Sequence, residues 1–259
     1  MTVPVPAYPT PSGLLRDKRV VITAAAGAGI GFATAKRCAE EGAKLVVSDI
    51  HERRLAAACE ALSGLASEPV HGVLCDVRDD SSVVALAQAA GERLGGVDVW
   101  INNAGLGGAA AIVDMTDEEW ARVLDITLTG TFRCMRAAMR CMRDQGGVIV
   151  NNASVLGWRA QKLQAHYAAA KAGVMALTRC AALEGADFGV RVNAVAPSLA
   201  MHPFLEKVTP PGLLEELTGR EAYGRAAEPW EVANVIVFLA SELSSYMTGE
   251  ILSVSSQRA

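Results

Sequence analysis

A tyrosine and a lysine have the types and spacing that proton transfer beside an oxygen atom requires. Tyr167 and Lys171 are four positions apart, so in a helix predicted over 164–187 they share one face. A phenol has an ordinary pKa of about 10, too high for an efficient base near neutral pH, and a nearby ammonium lowers it. The pair indicates the acid–base chemistry that accompanies hydride transfer at a carbonyl or alcohol carbon. Because this spacing often arises by chance, it needs support from the elements around it.

A glycine-rich turn near the amino terminus is suited to binding a diphosphate. Residues 19–31 read RVVITAAAGAGIG, so a strand over 19–24 leads through the turn into a helix over 29–42. Glycines allow the backbone to approach a diphosphate closely, and the N–H groups and dipole at the start of the helix hold its negative charge. The arrangement predicts a dinucleotide-binding turn.

An acidic residue ends the next predicted strand, over 44–49, and this residue is Asp49. A carboxylate at this tip accepts hydrogen bonds from the hydroxyls of an adenosine ribose and repels a 2′-phosphate. The position therefore favours NAD(H) over NADP(H). The alternative is that Asp49 caps the amino terminus of a helix predicted over 51–63.

Short apolar runs alternate with helical segments along the whole chain. The predicted strands are 19–24, 44–49, 70–76, 97–103, 147–154, 190–197 and 251–256. The predicted helices are 29–42, 51–63, 79–95, 117–143, 164–187 and 228–242. Continuous apolar strands separated by helices indicate a parallel sheet covered on both faces. We therefore predict an α/β fold: a single domain with a doubly wound, seven-stranded, Rossmann-like parallel sheet and right-handed crossovers.

The overall composition agrees with one α/β domain and argues against several other classes of protein. The chain has 259 residues, of which 51% are hydrophobic, and a formal net charge of −4. Without a basic block, neither nucleic acid nor an acidic membrane surface is an expected partner. No apolar stretch reaches the ~20 residues of a membrane span. The six cysteines are too sparse for a disulfide framework, which favours free thiols and a cytoplasmic location.

The first residues of the chain differ from the rest in composition. Residues 1–15 contain four prolines, which disrupt regular hydrogen bonding, so we predict a flexible tail. With no basic start and no long apolar run, this segment is not expected to be a signal peptide. The predicted domain then spans 16–259.

The motifs together resemble the short-chain dehydrogenase/reductase family over roughly residues 15–256. Beside the glycine turn, the landmarks are CDV at 75–77, NNAG at 102–105, Ser154, Tyr167-x-x-x-Lys171, PS at 197–198, EPWEVA at 228–233 and TGE at 248–250. Ser154 precedes Tyr167 by 13 residues (167 − 154), which is the spacing usual in the family. The resemblance implies an enzyme that transfers a hydride between NAD(H) and a hydroxy or keto group.

The resemblance also implies roles for individual residues. Tyr167 would move the proton, Ser154 would hold the substrate oxygen, and Lys171 would bind the nicotinamide ribose. Thr127 stands where the family usually has an asparagine that positions a water for a proton relay. Asp76 would bind the adenine amino group. The cofactor-binding residues implied in this way are Ala25, Gly27, Gly29, Ile30, Asp49, Asp76, Val77, Asn103, Gly105, Tyr167, Lys171, Pro197 and Leu199.

Three further departures from the family pattern stand out. The interval from Thr23 to Gly31 is eight steps (31 − 23) where the family has seven, so either one residue is inserted or Ala25 replaces the first glycine. Ser198 replaces a glycine, and serine does not easily take a positive φ. His202 falls where a threonine often contacts the carboxamide, and it is expected to bond the carboxamide or the substrate. With no second ligand nearby in sequence, no metal site is expected.

The segment 198–227 corresponds to the part of the family that covers the substrate, and we expect a mobile lid there with a short helix over 213–222. Its predicted lining is apolar and consists of Leu199, Met201, Phe204, Leu205, Leu213 and Leu217. The stretches at 151–161 and 198–207 resemble dehydrogenases of bacterial steroid catabolism, which act on ring-derived CoA thioesters. Arg159 and Lys162 are candidates for meeting a CoA phosphate, or are ordinary solvated surface.

Two other functions stay open. A 3-oxoacyl-thioester reductase of fatty-acid type is weakened by Asp49, because such reductases commonly use NADPH. A catalytically silent NAD(H)-sensing module would explain the altered turn, Thr127 and Ser198, but it would not need Tyr167 and its neighbours. The resemblance further implies a homotetramer in which the helices over 117–143 and 164–187 pair across subunits.

Overall fold

The computed structural model describes residues 2–202, Leu205 and 211–256. The strands are β1 Arg19–Ile22, β2 Lys44–Asp49, β3 His71–Leu74, β4 Val99–Asn102, β5 Gly147–Asn152, β6 Val190–Pro197 and β7 Ile251–Val254. The α-helices are α1 Ile30–Glu40, α2 Glu52–Ser63, α3 Asp80–Leu94, α4 Asp117–Leu124, α5 Gly130–Met142, α6 Ala165–Ala186, α7 Pro211–Arg220 and α8 Pro229–Ala240. Each of the seven predicted strands contains an observed strand, trimmed at one or both ends in most cases.

The strands form one parallel sheet in the order β3-β2-β1-β4-β5-β6-β7. Successive residues of a strand point to opposite faces, so Val20 and Ile22 pack with α1, α2 and α8, whereas Val21 packs with α3, α5 and α6. Both faces are therefore buried, which explains the continuous apolar strands. The predicted doubly wound, Rossmann-like fold is confirmed.

Two predicted helices differ in detail from the observed ones. The helix predicted over 117–143 is interrupted by one π-helical turn at Asp125–Thr129 between α4 and α5. The helix predicted over 213–222 begins two residues earlier, as α7. Of the predicted lid, residues 203, 204 and 206–210 lie outside the described residues, and the Phe204 lining prediction falls there.

Residues 2–12 form neither helix nor strand, but they lie against the body of the protein. The phenol of Tyr8 donates a hydrogen bond to Glu40 Oε2 (2.6 Å), and its ring meets Trp230 edge to face at 5.3 Å between centroids. The N–H of Val3 donates to the carbonyl of Tyr223 (2.9 Å), and Arg225 Nε donates to the carbonyl of Val3 (3.1 Å). These contacts do not report motion, so flexibility of residues 1–15 stays a prediction.

Glu41 anchors the other end of this segment. It is 1% exposed, its Oε1 accepts from Arg37 Nη2 (2.6 Å), and its Oε2 accepts from the N–H groups of Ser12 and Leu14 (3.0 and 2.9 Å). Burial raises the pKa of this carboxyl, but the N–H donors and the Arg37 guanidinium outweigh burial, and its pKa is lowered.

Replacing Glu41 with alanine should lower the free energy of unfolding by about 1–3 kcal/mol, because Arg37 keeps only Glu40 as a carboxylate partner and the N–H groups of Ser12 and Leu14 lose their acceptor. A carboxyl with a lowered folded pKa stabilises at pH values above its unfolded pKa, so the difference from wild type should shrink as pH falls below about 4.5. Denaturant unfolding measured from pH 7 to pH 3 checks this. The exposed Glu60→Ala is the matched control and should cost less than about 0.5 kcal/mol; an equal effect of both changes would contradict the prediction.

Candidate active site

The side chains predicted to transfer the proton meet at the carboxyl edge of the sheet. Ser154 follows β5 and is 8% exposed, whereas Tyr167 and Lys171 lie one turn apart on α6. A hydrogen bond joins the Ser154 and Tyr167 side chains. The Lys171 ammonium lies 5.5 Å from the centroid of the Tyr167 ring. The structure therefore brings together Ser154, Tyr167 and Lys171, which are three of the four residues predicted to take part in catalysis, the fourth being Thr127.

Burial dominates the ionisation of this group. It raises the pKa of Tyr167 to about 12, and the hydrogen bond with Ser154 opposes that rise only in part. Burial also lowers the pKa of Lys171 to about 8. We expected Lys171 to lower the pKa of the Tyr167 phenol. In the protein alone that pKa is raised, because desolvation of both groups outweighs their attraction.

A chain of amide hydrogen bonds connects Lys171 to the glycine-rich turn. Lys171 Nζ donates to the backbone carbonyl of Asn152, and Asn152 Nδ2 donates to Asn103 Oδ1 (2.9 Å). Asn103 Nδ2 in turn donates to the carbonyl of Ala24 (3.0 Å). The ends of β1, β4 and β5 are therefore held in one arrangement. Asn103 acts as a scaffold for the turn, a role that the sequence motif did not predict.

The turn over 23–31 has the form of a diphosphate cradle. Gly27 has φ +104° and Ala24 has φ +50°. A Cβ at Gly31 would lie 2.2 Å from the Ala24 carbonyl oxygen and 2.3 Å from Asn103 Nδ2, so only glycine fits. Gly29 precedes α1 and has no side chain to cap it, so the N–H groups of the first helical turn receive no acceptor from the N-cap residue. These features fit the diphosphate of a dinucleotide.

Ala25 has a different role from Gly27 and Gly29. It is fully buried, and its N–H donates to the carbonyl of Ser48 (2.9 Å). This bond joins the start of the turn to β2. Whether Ala25 touches a cofactor stays a prediction, as it does for Ile30, the first residue of α1.

Asp49 ends β2 beside the turn and is 6% exposed. Its Oδ1 accepts from the N–H of His51 (3.0 Å), and Arg54 Nη2 lies 3.6 Å from the same oxygen. Burial raises the pKa of Asp49 above its ordinary value. Arg54 and the N–H groups of Ala26 and Ile50 lower this pKa, but by less than burial raises it. His51, and not Asp49, stands at the N-cap position of α2, and its side chain makes no capping hydrogen bond. Sequence reasoning missed Arg54, which reaches back from the first turn of α2.

The residues predicted to surround the adenine are engaged with neighbouring side chains. Both oxygens of Asp76 accept from Arg78, with Nη2 at 2.6 Å from Oδ2, and this bond lowers the pKa of Asp76. Val77 is 7% exposed and packs closely against Gly130, where a Cβ would lie 2.7 Å from Val77 Cγ2. Gly105 approaches Lys171, whose Nζ would be 3.5 Å from an added Cβ. The adenine roles of Asp76 and Val77 stay predictions.

Thr127 lies in the π-helical turn and is fully buried. Its hydroxyl accepts from the N–H of Leu106 (3.0 Å) and donates to the Leu106 carbonyl (3.1 Å). The one proton of the Thr127 hydroxyl is therefore already donated to the Leu106 carbonyl. A water at this position could only donate to Thr127, and the relay role remains a prediction.

Two loops, residues 105–115 and residues 158–164, lie next to the start of α6 and carry exposed apolar side chains. The first loop, residues 105–115, is attached to the start of α6, because Gln164 Nε2 donates to the Gly108 carbonyl (2.7 Å). His166 is buried beneath Gly108 and accepts the N–H of Tyr167. The large apolar side chains exposed on the two loops are Ile112, Val113, Trp158 and Leu163, of which Val113 is 91% exposed.

The segment after β6 is fixed by backbone pairing. The N–H of Ala227 donates to the Leu199 carbonyl (2.8 Å), and the N–H of Met201 donates to the Ala227 carbonyl (2.9 Å). Ser198 is not among the described residues with a positive φ, so serine in place of glycine is accommodated without strain. A cavity of about 470 Å³ opens between Met201 and α7. The cofactor contacts of Pro197 and Leu199 stay predictions.

The described part of the chain has neither a cluster of metal-ligating side chains nor a membrane-spanning helix. Across residues 2–202, Leu205 and 211–256, no three His, Cys, Asp or Glu side chains are grouped to hold a metal ion. Within those same ranges, no helix is both long and apolar enough to cross a membrane. All six cysteines are free thiols.

Comparison with known proteins agrees with this geometry. Residues 24–256 match a family profile described as enoyl-(acyl carrier protein) reductase. A protein of Mycobacterium tuberculosis named (5R,7aS)-5-hydroxy-7a-methyl-1-oxo-2,3,5,6,7,7a-hexahydro-1H-indene-carboxyl-CoA reductase is 60% identical over 95% of this chain and 94% of its own length. A 3-oxoacyl-(acyl-carrier-protein) reductase of Thermotoga maritima is 37% identical over 93% of this chain and 97% of its own.

The solved structures agree with the same assignment. A short chain dehydrogenase from Mycobacterium smegmatis matches with a TM-score of 0.88 and 56% identity, covering 99% of both chains. The glycine-rich turn and the acid–base group beside it agree with relatives that match nearly the whole length of the chain. The chain is an oxidoreductase that belongs to the short-chain dehydrogenase/reductase family, whose members bind a nicotinamide cofactor.

Proposed function

We propose that the protein transfers a hydride between NAD(H) and a hydroxy or keto group of a bulky apolar substrate, a CoA thioester derived from a steroid ring. The observation that carries the reaction type is the convergence of Ser154, Tyr167 and Lys171 beside the glycine-rich turn. The substrate class rests on the 60% identical relative, whose name specifies a hydroxy-oxo-hexahydroindene carboxyl-CoA.

The protein residues divide the proton chemistry between them. The bound cofactor supplies or accepts the hydride. The Ser154 hydroxyl and the Tyr167 phenol both bind the substrate oxygen, which holds its carbon in place for hydride transfer. With a pKa raised to about 12, Tyr167 is protonated at neutral pH and can donate to the oxygen of a ketone as it is reduced. Lys171, held by the Asn152 carbonyl, places its ammonium near the developing phenolate.

The surroundings of Tyr167 support a large apolar substrate. Ile112, Val113, Trp158 and Leu163 are exposed on the two loops beside it, and burying such side chains against a ring system is favourable. Lys162 is exposed on the second loop and Arg159 is partly buried there. We assign these two cations to the phosphates of CoA.

A panel of thioesters tests the proposed function. Absorbance of the nicotinamide is followed with a bicyclic ring-ketone CoA thioester, its free acid and a linear 3-oxoacyl-CoA, each with NADH and with NADPH. We expect the ring-ketone CoA thioester with NADH to turn over fastest. A preference for the linear thioester would favour the 3-oxoacyl-thioester reductase, which the Thermotoga relative supports. Uptake of NADH without turnover of any substrate would favour the sensing module.

Replacing Asp49 with serine should reduce the discrimination against NADPH. The buried carboxylate repels a 2′-phosphate, and like charges brought together cost several kcal/mol. Removing it also leaves Arg54, 3.6 Å away in the wild type, able to pair with that phosphate. We expect the ratio of kcat/KM for NADPH to that for NADH to rise at least about tenfold.

The double variant Asp49→Ser/Arg54→Ala is the matched control. Its ratio of kcat/KM for NADPH to that for NADH should rise less than in Asp49→Ser alone, because the cation that would pair with the 2′-phosphate is gone. If the ratio is the same in wild type and Asp49→Ser, the ribose contact lies elsewhere and NAD preference has another origin.

We further infer a homotetramer in the cytoplasm. Apolar side chains are exposed on the helices expected to pair across subunits, among them Phe132 on α5 and Leu183 on α6, which is 79% exposed. Light scattering should give four times the mass of one chain. A monomeric mass at micromolar concentration would contradict the assembly but not the activity.

A further inference from the structure

Residues 3–12 form an extended segment that is attached to the rest of the chain at three places. Proline fixes φ and has no N–H, so a proline-rich segment stays extended and loses little conformational freedom when it is held. Such a chain advances about 3.1 Å per residue, and residues 3–12 can therefore span about 28 Å. The four prolines of the segment are Pro4, Pro6, Pro9 and Pro11.

Two of the attachments are to helices that cover one face of the sheet. The N–H of Ser12 donates to Glu41 Oε2 (3.0 Å) just after α1. The phenol of Tyr8 donates to Glu40 Oε2 (2.6 Å) at the end of α1, and its ring contacts Trp230 at the start of α8. The segment is therefore fixed at its carboxyl end and near its middle.

The third attachment is to the connection between α7 and α8. The N–H of Val3 donates to the Tyr223 carbonyl (2.9 Å), and Arg225 Nε donates to the Val3 carbonyl (3.1 Å). The same guanidinium donates to both carboxylate oxygens of Glu231 (2.6 and 2.8 Å) in the first turn of α8. Val3 is thus bonded to two residues of the connection, one of which is itself held by α8.

The residue between these two contacts forms part of a cavity wall. Gly224 has φ +64° and lines the cavity of about 470 Å³ that opens between Met201 and α7. This volume is within the range that holds a small organic molecule. The α7 residues that line the cavity with them are Leu214, Glu215, Thr218 and Gly219. All of them belong to the segment 198–227, which is predicted to cover the substrate.

We propose that residues 3–12 act as a strap that holds the cavity wall at Gly224 and so positions the bulky substrate. Val3 and Tyr8 are positioning residues and touch neither substrate nor cofactor. A wall that is already held in place costs less to order when a ring system enters the cavity, so the substrate binds more tightly. This inference rests on the proposed function, which supplies the bulky substrate.

Val3→Pro tests the strap, because proline has no N–H to donate to the Tyr223 carbonyl. One such hydrogen bond is worth about fivefold in affinity. We therefore expect KM for the ring-ketone CoA thioester to rise about fivefold, with kcat and the dissociation constant of NADH within about twofold of wild type. A loss that came only from lower stability would not separate KM from kcat in this way.

Val5→Pro is the matched control. Val5 lies in the same strap between two prolines, and within the part of the chain that the structure describes its N–H makes no backbone hydrogen bond. A proline at this position should therefore leave KM, kcat and NADH affinity as they are in wild type.

Hydrogen exchange measures the wall itself without any substrate. The amides over 211–227 include that of Gly224, which donates to the Glu221 carbonyl (2.8 Å). They should exchange at least about threefold faster in Val3→Pro than in wild type or Val5→Pro. The amides of β1 and β2, which lie in the sheet, should exchange at the wild-type rate.

The other outcomes overturn the proposal in distinguishable ways. Unchanged exchange over 211–227 in Val3→Pro would mean that the strap does not hold the wall. Faster exchange with an unchanged KM would mean that the wall does not position the substrate, and an equal loss of NADH affinity would mean that the substitution acts through the whole site. If wild-type protein turns over no ring-ketone CoA thioester, the proposed function fails, and the exchange rates alone decide whether the strap holds the wall.

Discussion

Tyr167→Phe is expected to lose turnover by about 10²–10⁴-fold while keeping its affinity for NADH. The substitution removes one oxygen atom, which is the proposed proton donor to the substrate and the partner of Ser154. The aromatic ring, which packs beside Gly107 and near Lys171, remains. Because the proposed cofactor site is built mainly from the turn over 23–31 and Asp49, the dissociation constant for NADH should change little. Stopped-flow reduction of a ketone substrate and a fluorescence titration with NADH measure the two effects separately.

Tyr246→Phe is the matched control for this substitution. Tyr246 is fully exposed, and losing its hydroxyl should leave turnover within about twofold of wild type. Substantial residual turnover in Tyr167→Phe would mean that another group donates the proton. A parallel loss of NADH affinity would mean that the hydroxyl holds the cofactor and not the substrate.

Gly31→Ala is expected to disrupt the cofactor cradle. The added Cβ would lie 2.2 Å from the Ala24 carbonyl oxygen and 2.3 Å from Asn103 Nδ2. Neither atom can move freely, because Asn103 also accepts from Asn152 (2.9 Å). Overpacking of this kind costs about 1–3 kcal/mol in the free energy of unfolding. A displaced turn should also weaken the binding of NADH by at least about tenfold. Thermal unfolding measures the loss of stability, and a titration with NADH measures the loss of affinity.

The matched substitution Gly91→Ala separates a steric effect from a general effect of replacing glycine. Gly91 lies in α3 with no atom within 4 Å of an added Cβ, so alanine should stabilise the protein by up to about 1 kcal/mol. If Gly31→Ala bound NADH like wild type and melted at the same temperature, the close approach at the turn would not be essential.

The doubly wound parallel sheet and the grouping of Ser154, Tyr167 and Lys171 could be predicted from the sequence. Continuous apolar runs of β-branched residues can only be buried on both faces, and this condition leads to a parallel sheet whose carboxyl edge carries the site. The spacing of Tyr167 and Lys171 translates directly into one helix face. The approach of Ser154 follows because it ends the strand before that helix.

Other features depend on contacts that no local pattern contains. The π-helical turn at Asp125–Thr129 adds a residue without changing the helical composition around it. Arg54 and Arg78 meet Asp49 and Asp76 through side chains long enough to reach back to strand ends. His202 lies over the turn because Met201 before it is bonded to Ala227, 26 residues later in the sequence (227 − 201). Such contacts are set by tertiary packing.

The edge-to-face meeting of Tyr8 and Trp230 gives the enzyme an intrinsic optical reporter. Indole emission responds to its surroundings, so release of residues 2–12 would change the fluorescence of Trp230 without any added dye. The same attachment bears on where an affinity tag is placed, since Val3 is bonded to Tyr223 and Arg225 at the far end of the lid segment. A tag joined ahead of Val3 would sit beside that segment, and kinetics should be recorded after its removal.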